Sequence, residues 1–384
     1  MASDIHTYMN DTVPHSLPDS KSCELCYKYT TKHSLTTKST LSNSTTYSQW
    51  ELDSSDIAQP VDAPIQFGGC VEAPSPLALF LVSASASQQL TMNIVLATDP
   101  QFKSNQVNSI KWCNIYAKLN TGLMEHGDAQ DIESHNGGTW EQITFVAELD
   151  CSYMNIEQLE LLISEVERRC PIIQLLLRGG TTVYNNWSIV GLRTTSSHNP
   201  RSLSSVSSDS NGSTVTSNSG GANTTSSHDY NRRFEVRAAK QSPCDITTWS
   251  MDEFSIRVDA DPVNTHSAKS AGPMSIFLTS VASCMQVTAS LVLKTNSKFI
   301  DKRIDSLQWT DVYGIYDSRA LLHGYNTQNN TFDRVVLSAD IYSDSITQSE
   351  LNCMVDEIKR RCPQSLMLSR AGAQVEINWL LIKP

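Results

Sequence analysis

One stretch of the chain is apolar on every side. From Met274 to Leu293 no charged residue occurs, and Ile, Phe, Leu, Val, Ala, Cys and Met alternate with small hydroxyl residues. A helix with no polar stripe is a buried helix. Pro273 suits a first helical turn, so the pattern predicts a helix from Pro273 to about Lys294. Upstream, residues 233–240 and 253–258 alternate apolar and polar, which predicts the two strands of a hairpin. A Gly/Ser/Ala-rich loop separates that hairpin from the helix. Downstream, residues 304–316 and 334–342 read as strands. Thr347-Gln-Ser-Glu350 is a capping-box pattern. Leu351, Met354, Val355 and Ile358 then mark one helical face, and the helix should stop near Arg361 because Cys362 precedes a proline. Residues 374–382 read as a closing strand. The succession is α+β: sheet, buried helix, sheet, amphipathic helix, strand.

The same succession occurs earlier in the chain. Pro76-Leu-Ala-Leu-Phe-Leu-Val-Ser83 reads against Pro273-Met-Ser-Ile-Phe-Leu-Thr-Ser280 at an offset of 197, which Trp112/Trp309, Tyr116/Tyr313 and His126/His323 share. Arg168-Arg169-Cys170-Pro171 answers Arg360-Arg361-Cys362-Pro363 at an offset of 192. The first copy therefore holds five extra residues, which fit in the polar loop 128–138. Between the copies, 194–230 is almost entirely Ser, Thr, Asn, Gly and Asp. Such a segment cannot bury enough apolar surface to offset its ordering entropy. The expected organisation is a loose tail at 1–20, a first copy at 21–193, a disordered linker at 194–230 and a second copy at 231–384.

The 384 residues and 42.5 kDa leave room for two ordinary domains. A formal charge of −11 argues against nucleic acid as a partner. No run approaches the roughly 18 apolar residues that span a bilayer, so no membrane partner is expected. The first 20 residues are polar and lack the apolar core of a secretory signal, which points to the cytoplasm, with organelle import as the alternative. Ten cysteines are too sparse for a disulfide scaffold. No P-loop, GxGxxG, GxSxG or HExxH motif occurs, and no cofactor or metal is implied. Cys23-Glu-Leu-Cys26 is a lone CxxC without a second pair at zinc-finger spacing; His33 is a poor ligand for it. His126 and His323 stand before glycines and read as turn residues or, alternatively, as catalytic bases. The paired arginines 168–169 and 360–361 read as solvated helix C-termini, with anion binding as the alternative.

Two cysteines of the second copy fall at privileged points. Cys284 lies midway along the buried helix, and Cys362 lies just past the amphipathic helix. A thiolate beside a second thiol is the minimum kit for reducing a peroxide: one sulfur becomes a sulfenic acid and the other condenses with it. The bland alternative for Cys284 is a small core residue.

The segments Gly272-Pro-Met-Ser-Ile-Phe-Leu-Thr-Ser-Val-Ala-Ser-Cys284 and Arg361-Cys-Pro-Gln-Ser-Leu-Met-Leu368, with the strand that follows, resemble the OsmC/Ohr superfamily of osmotically inducible and organic hydroperoxide resistance proteins. The resemblance implies a peroxidatic Cys284 and a resolving Cys362. It implies an organic hydroperoxide as substrate and a thiol or dithiol as reductant. It also implies a swapped two-subunit fold, formed here within one chain as a pseudo-dimer or between two chains as a homodimer. The chain departs from the family in three ways. Ser87 replaces the helix cysteine in the first copy, although Cys170 remains. Met274 stands where the family has a glutamate. No residue clearly matches the family's arginine; Lys32, Arg237, Lys240 and Arg257 are loose candidates. These departures favour the alternative reading, a catalytically degenerate scaffold that binds a ligand or a partner.

Overall fold

The computed structural model describes residues 30–35, 48–51, 58–63, 67, 73–127, 140–191, 231–241, 247–251, 254–258, 271–324 and 330–383. The tail, the linker, the loop at 128–138 and the Cys23/Cys26 pair lie outside them.

Two 23-residue helices, α1 (Pro76–Thr98) and α5 (Pro273–Thr295), pack against each other at the centre. Phe80 and Phe277 meet across this contact with ring centroids 6.1 Å apart. Each helix is buried nearly all round. The hydroxyls tolerate this because they hydrogen-bond to carbonyls three or four residues back within their own helix. Ser85 donates to Leu81 O at 2.8 Å, Thr91 to Ser87 O at 2.7 Å, and Thr288 to Cys284 O at 2.8 Å. The expectation of no membrane-length apolar run needs correction: both helices are long and apolar enough to cross a bilayer. The small hydroxyl residues hide this in the sequence. Both helices lie mostly inside the protein.

The sheets show how the halves are joined. Strands β1 (Thr30–Leu35), β2 (Ser48–Glu51) and β3 (Ala58–Val61) precede α1. After it come β4 (Gln106–Asn120), the short helix α2 (Gly122–His126), β5 (Trp140–Ser152), α3 (Ile156–Arg169), α4 (Pro171–Arg178) and β6 (Thr182–Ile189). The second half runs β7 (Asn231–Gln241), β8 (Thr247–Met251), β9 (Phe254–Val258), α5, β10 (Ser306–Asp317), α6 (Arg319–His323), β11 (Phe332–Tyr342), α7 (Gln348–Arg361), α8 (Pro363–Arg370) and β12 (Gln374–Ile382). One sheet has the order β1-β10-β11-β12, a second the order β6-β5-β4-β7-β8-β9, and β2 and β3 pair as a small third. Strand β1 of the first half thus pairs antiparallel with β10 of the second, and β7 of the second pairs antiparallel with β4 of the first. Each half completes the other's sheet.

Two expectations are adjusted. The hairpin expected at 233–258 is three strands, because β8 lies between its two arms. Trp249 and Met251 are buried and alternate with exposed Thr248 and Ser250, so the period-two signal is present in a short run. Helix α8 is an addition: Pro363, at its first position, starts a new helix immediately after α7 ends.

Candidate active site

The turn between α7 and α8 fixes one sulfur. Thr347 and Glu350 form the capping box that starts α7, and Leu351, Met354 and Ile358 bury its inner face. The steric demand of Pro363 holds Cys362 in the extended region, at φ −69° and ψ 118°. Cys362 therefore closes α7, its N–H donating to Ile358 O at 2.8 Å, and also opens α8, its carbonyl accepting from Leu366 N at 3.0 Å. The side chain points into the core beside α5. There its Sγ lies 3.4 Å from Sγ of Cys284, and both residues are fully buried. Residues 78 positions apart in sequence are thus in thiol–thiol contact.

Either thiol can supply the proton between them. The surroundings decide which sulfur keeps it. The hydrogen bond to Cys362 and then burial push the Cys284 thiol well above its ordinary range. Burial pushes Cys362 up too, but the hydrogen bond from Cys284 and the backbone N–H groups of Ser365 and Gln364 outweigh it and draw Cys362 below the ordinary range. Thr288 adds to this. The leading influences on the two thiols are each other, burial, the Gln364 and Ser365 backbone and Thr288, and no cationic side chain is among them. Arg257 is exposed on β9. Lys32 pairs in register with Ile315, which places it in the sheet of the cysteine-bearing half. Its side chain, and those of Arg237 and Lys240, lie outside the described residues. Met274 is buried at the start of α5.

The first half repeats the contact with oxygen in place of one of the two sulfurs. Ser87 Oγ lies 3.2 Å from Cys170 Sγ, again fully buried. A hydroxyl cannot become a sulfenic acid, so this pair cannot close a disulfide. Burial raises the Cys170 thiol, with hydrogen bonds from Ser87 and from the Ile173 backbone opposing it. The buried phenol of Tyr316, from the other half, is close enough for Cys170 to raise it further after burial has done so.

One arginine of each pair is buried rather than solvated, while Arg168 and Arg360 stay partly exposed. Arg169 is 5% exposed and Arg361 3%. Arg361 Nε donates to Glu357 at 3.0 Å and its Nη1 to Thr295 Oγ1 at 2.8 Å. Neighbouring Arg360 donates to the carbonyl of Gly127 in the other half at 2.9 Å. Arg168 mirrors this at Gly324 O, at 2.6 Å. The correction has a physical reason: the strand exchange brings each helix end against the other half's α2 or α6, so its cations are engaged by backbone and carboxylates. His126 and His323 end those two short helices, before glycines in the left-handed region at φ 71° and 67°. All six cysteines among the described residues are free, and no group of three or more potential metal ligands occurs among those residues.

The family model described as an OsmC-like protein matches residues 266–378, the stretch that spans α5, Cys284 and Cys362. The chain carries an OsmC-like domain. The match does not extend to the first half, although that half has the same order of central helix, long strands and amphipathic helix. Among solved structures, the OsmC-like protein of Mycoplasma pneumoniae is similar over 39% of this chain and 96% of its own, at 22% identity and a TM-score of 0.32. A hypothetical protein of Aquifex aeolicus is similar over 39% of this chain and 97% of its own, at 13% identity and a TM-score of 0.29. No curated protein matches. The OsmC-like domain is mixed α+β and contains both cysteines of the close thiol pair.

Proposed function

We propose that the protein is a thiol-dependent peroxidase that reduces organic hydroperoxides through Cys284 and Cys362. The observation that carries the reading is the 3.4 Å separation of the two buried sulfurs. A disulfide needs about 2.05 Å, so closure asks for a small approach along a line already set. A thiolate attacks the nearer peroxide oxygen and the O–O bond breaks. The leaving alkoxide takes a proton and departs as the alcohol. The second thiol displaces water from the sulfenic acid, and the disulfide forms. An external thiol or dithiol returns both sulfurs to the reduced state.

The family resemblance gives the first attack to Cys284. In the resting pair the charge is favoured on Cys362, so Cys284 becomes the nucleophile by passing its proton across the contact. Apolar Phe277, Leu278 and Met285 around the helix favour alkyl or lipid peroxides over hydrogen peroxide. The paired halves supply within one chain the two-subunit arrangement that the resemblance implies. Ser87, buried Met274 and the absence of a cation among the leading influences on Cys284 favour the second reading, a degenerate scaffold.

The test is cumene hydroperoxide added in one equivalent, followed by disulfide mapping. A Cys284–Cys362 link with matching peroxide loss supports the peroxidase. No link, and no loss above Cys284→Ser, leaves the scaffold. Dimedone trapping in Cys362→Ser and Cys284→Ser identifies the sulfur that attacks.

A further inference from the structure

Three polar atoms close to the thiol pair in sequence are buried without a hydrogen-bond partner: Ser283 Oγ, Gln364 Nε2 and Ser365 Oγ. Their residues are between 0% and 1% exposed. Ser283 adjoins Cys284; Gln364 and Ser365 follow Cys362 in the first turn of α8. Burying polar groups unpaired is unfavourable, and proteins pair nearly all of them. The first half shows that the fold does not require these three. At the corresponding positions it has Ala86, Ile172 and Ile173, around the Ser87–Cys170 pair that cannot form a disulfide. Unpaired polar groups are not confined to the second half, since Gln88 beside Ser87 also lacks partners. The contrast concerns these three positions, which are polar where there are two thiols and apolar where there is one.

Gln364 is the most informative of the three. Its Oε1 lies 3.1 Å from Ser280 Oγ, one helical turn before Cys284, and shares that hydroxyl proton with Phe277 O at 2.7 Å. That contact holds the amide against the cysteine-bearing helix and leaves its other end unpaired. The backbone N–H of the same residue acts on both sulfurs. We propose that the Gln364 side-chain amide is the peroxide-binding group of this site. It would donate to the oxygen that leaves as alkoxide when the O–O bond breaks, a position at which charge develops in the transition state. Ser365 is a second donor for the same oxygens. The site recognises a neutral hydroperoxide by amide and hydroxyl groups. This rests on the peroxidase reading above.

The test compares two oxidants on the full chain. Cumene hydroperoxide must be bound and oriented. Diamide closes a dithiol without an O–O bond to align. Gln364→Met keeps the volume and removes the amide. We expect kcat/KM for cumene hydroperoxide to fall tenfold or more. Diamide closure of Cys284–Cys362 should stay within twofold, and thermal stability should be unchanged or higher. Gln364→Asn should recover part of the loss. Unchanged peroxide turnover, or equal losses with both oxidants, overturns the proposal. If Gln364→Met does not fold, Ser365→Ala and Gln364→Asn carry the same comparison. A wild-type protein that closes with diamide yet consumes no peroxide defeats the peroxidase reading first, and this inference with it.

Discussion

Replacing Arg361 with alanine tests the buried anchor at the end of α7, which bonds within the second half and lies against Gly127 of the first. The side chain is 3% exposed. It gives one charge-assisted bond to Glu357 at 3.0 Å and one bond to Thr295 Oγ1 at 2.8 Å. Its guanidinium lies over Gly127, where a Cβ would sit 2.3 Å from Cζ. A hydrogen bond to a charged group contributes about 1.5–3 kcal/mol. Burial of the aliphatic stem adds roughly 0.8 kcal/mol per methylene. Glu357 keeps Arg360 at 2.7 Å, so its charge is not stranded. Thr295 keeps its bond to Leu291 O at 2.8 Å. The expected loss is therefore about 3–5 kcal/mol. Arg360 has a side chain 37% exposed, and Arg360→Ala, which loses the Glu357 pair and the bond to Gly127 O, should cost less, about 1–2 kcal/mol after solvent screening. Urea midpoints for both variants provide the comparison. Burial raises the Glu357 carboxyl, but Arg360 and Arg361 hold it net below the ordinary range. A depressed carboxyl stabilises the fold above its unfolded value and loses that contribution as pH falls through its folded value. The gap between wild type and Arg361→Ala should accordingly narrow in acid. Equal, small losses for the two variants would restore the reading of a solvated helix end and refute the buried anchor.

Ser87→Cys should create a second dithiol, since Ser87 Oγ already lies 3.2 Å from Cys170 Sγ; oxidation should then yield a disulfide-linked peptide joining position 87 to Cys170 by mass spectrometry, and its absence would show that proximity of the two side chains does not suffice for closure. Gly314→Ala should destabilise by about 1–3 kcal/mol, because the added Cβ meets Phe332 at 2.6 Å and Phe332 stacks on Phe277 at 4.9 Å; a melting curve identical to wild type counts against it. Iodoacetamide under native conditions should modify exposed Cys353 first and leave buried Cys170 for denatured protein, as peptide mapping over time would reveal.

The buried helix, the capping box and the closing strand are legible in the sequence because each rests on local pattern. Thr347 and Glu350 are three residues apart, and the run from Met274 to Leu293 has no charge to misplace. The repeat points to matching positions for Cys284 and Ser87. Sequence alone could not give the sulfur contact, since 78 residues intervene and only tertiary packing closes that distance. The burial of Arg169 and Arg361 escapes the sequence for a related reason. Two cations at a helix end look solvated until the opposite half is known to sit against them. The unpaired polar atoms of Ser283, Gln364 and Ser365 leave a faint signal, the contrast with Ala86, Ile172 and Ile173, which becomes meaningful once those atoms are known to be buried without partners.

The exchange of β1 and β7 between halves has a consequence for divergence. In an assembly of identical subunits any substitution strikes both thiol positions together. Here each position has its own codon, while one polypeptide guarantees that the partners meet at any dilution. Serine can therefore stand at position 87 and cysteine at 284, and a change at either leaves the other untouched.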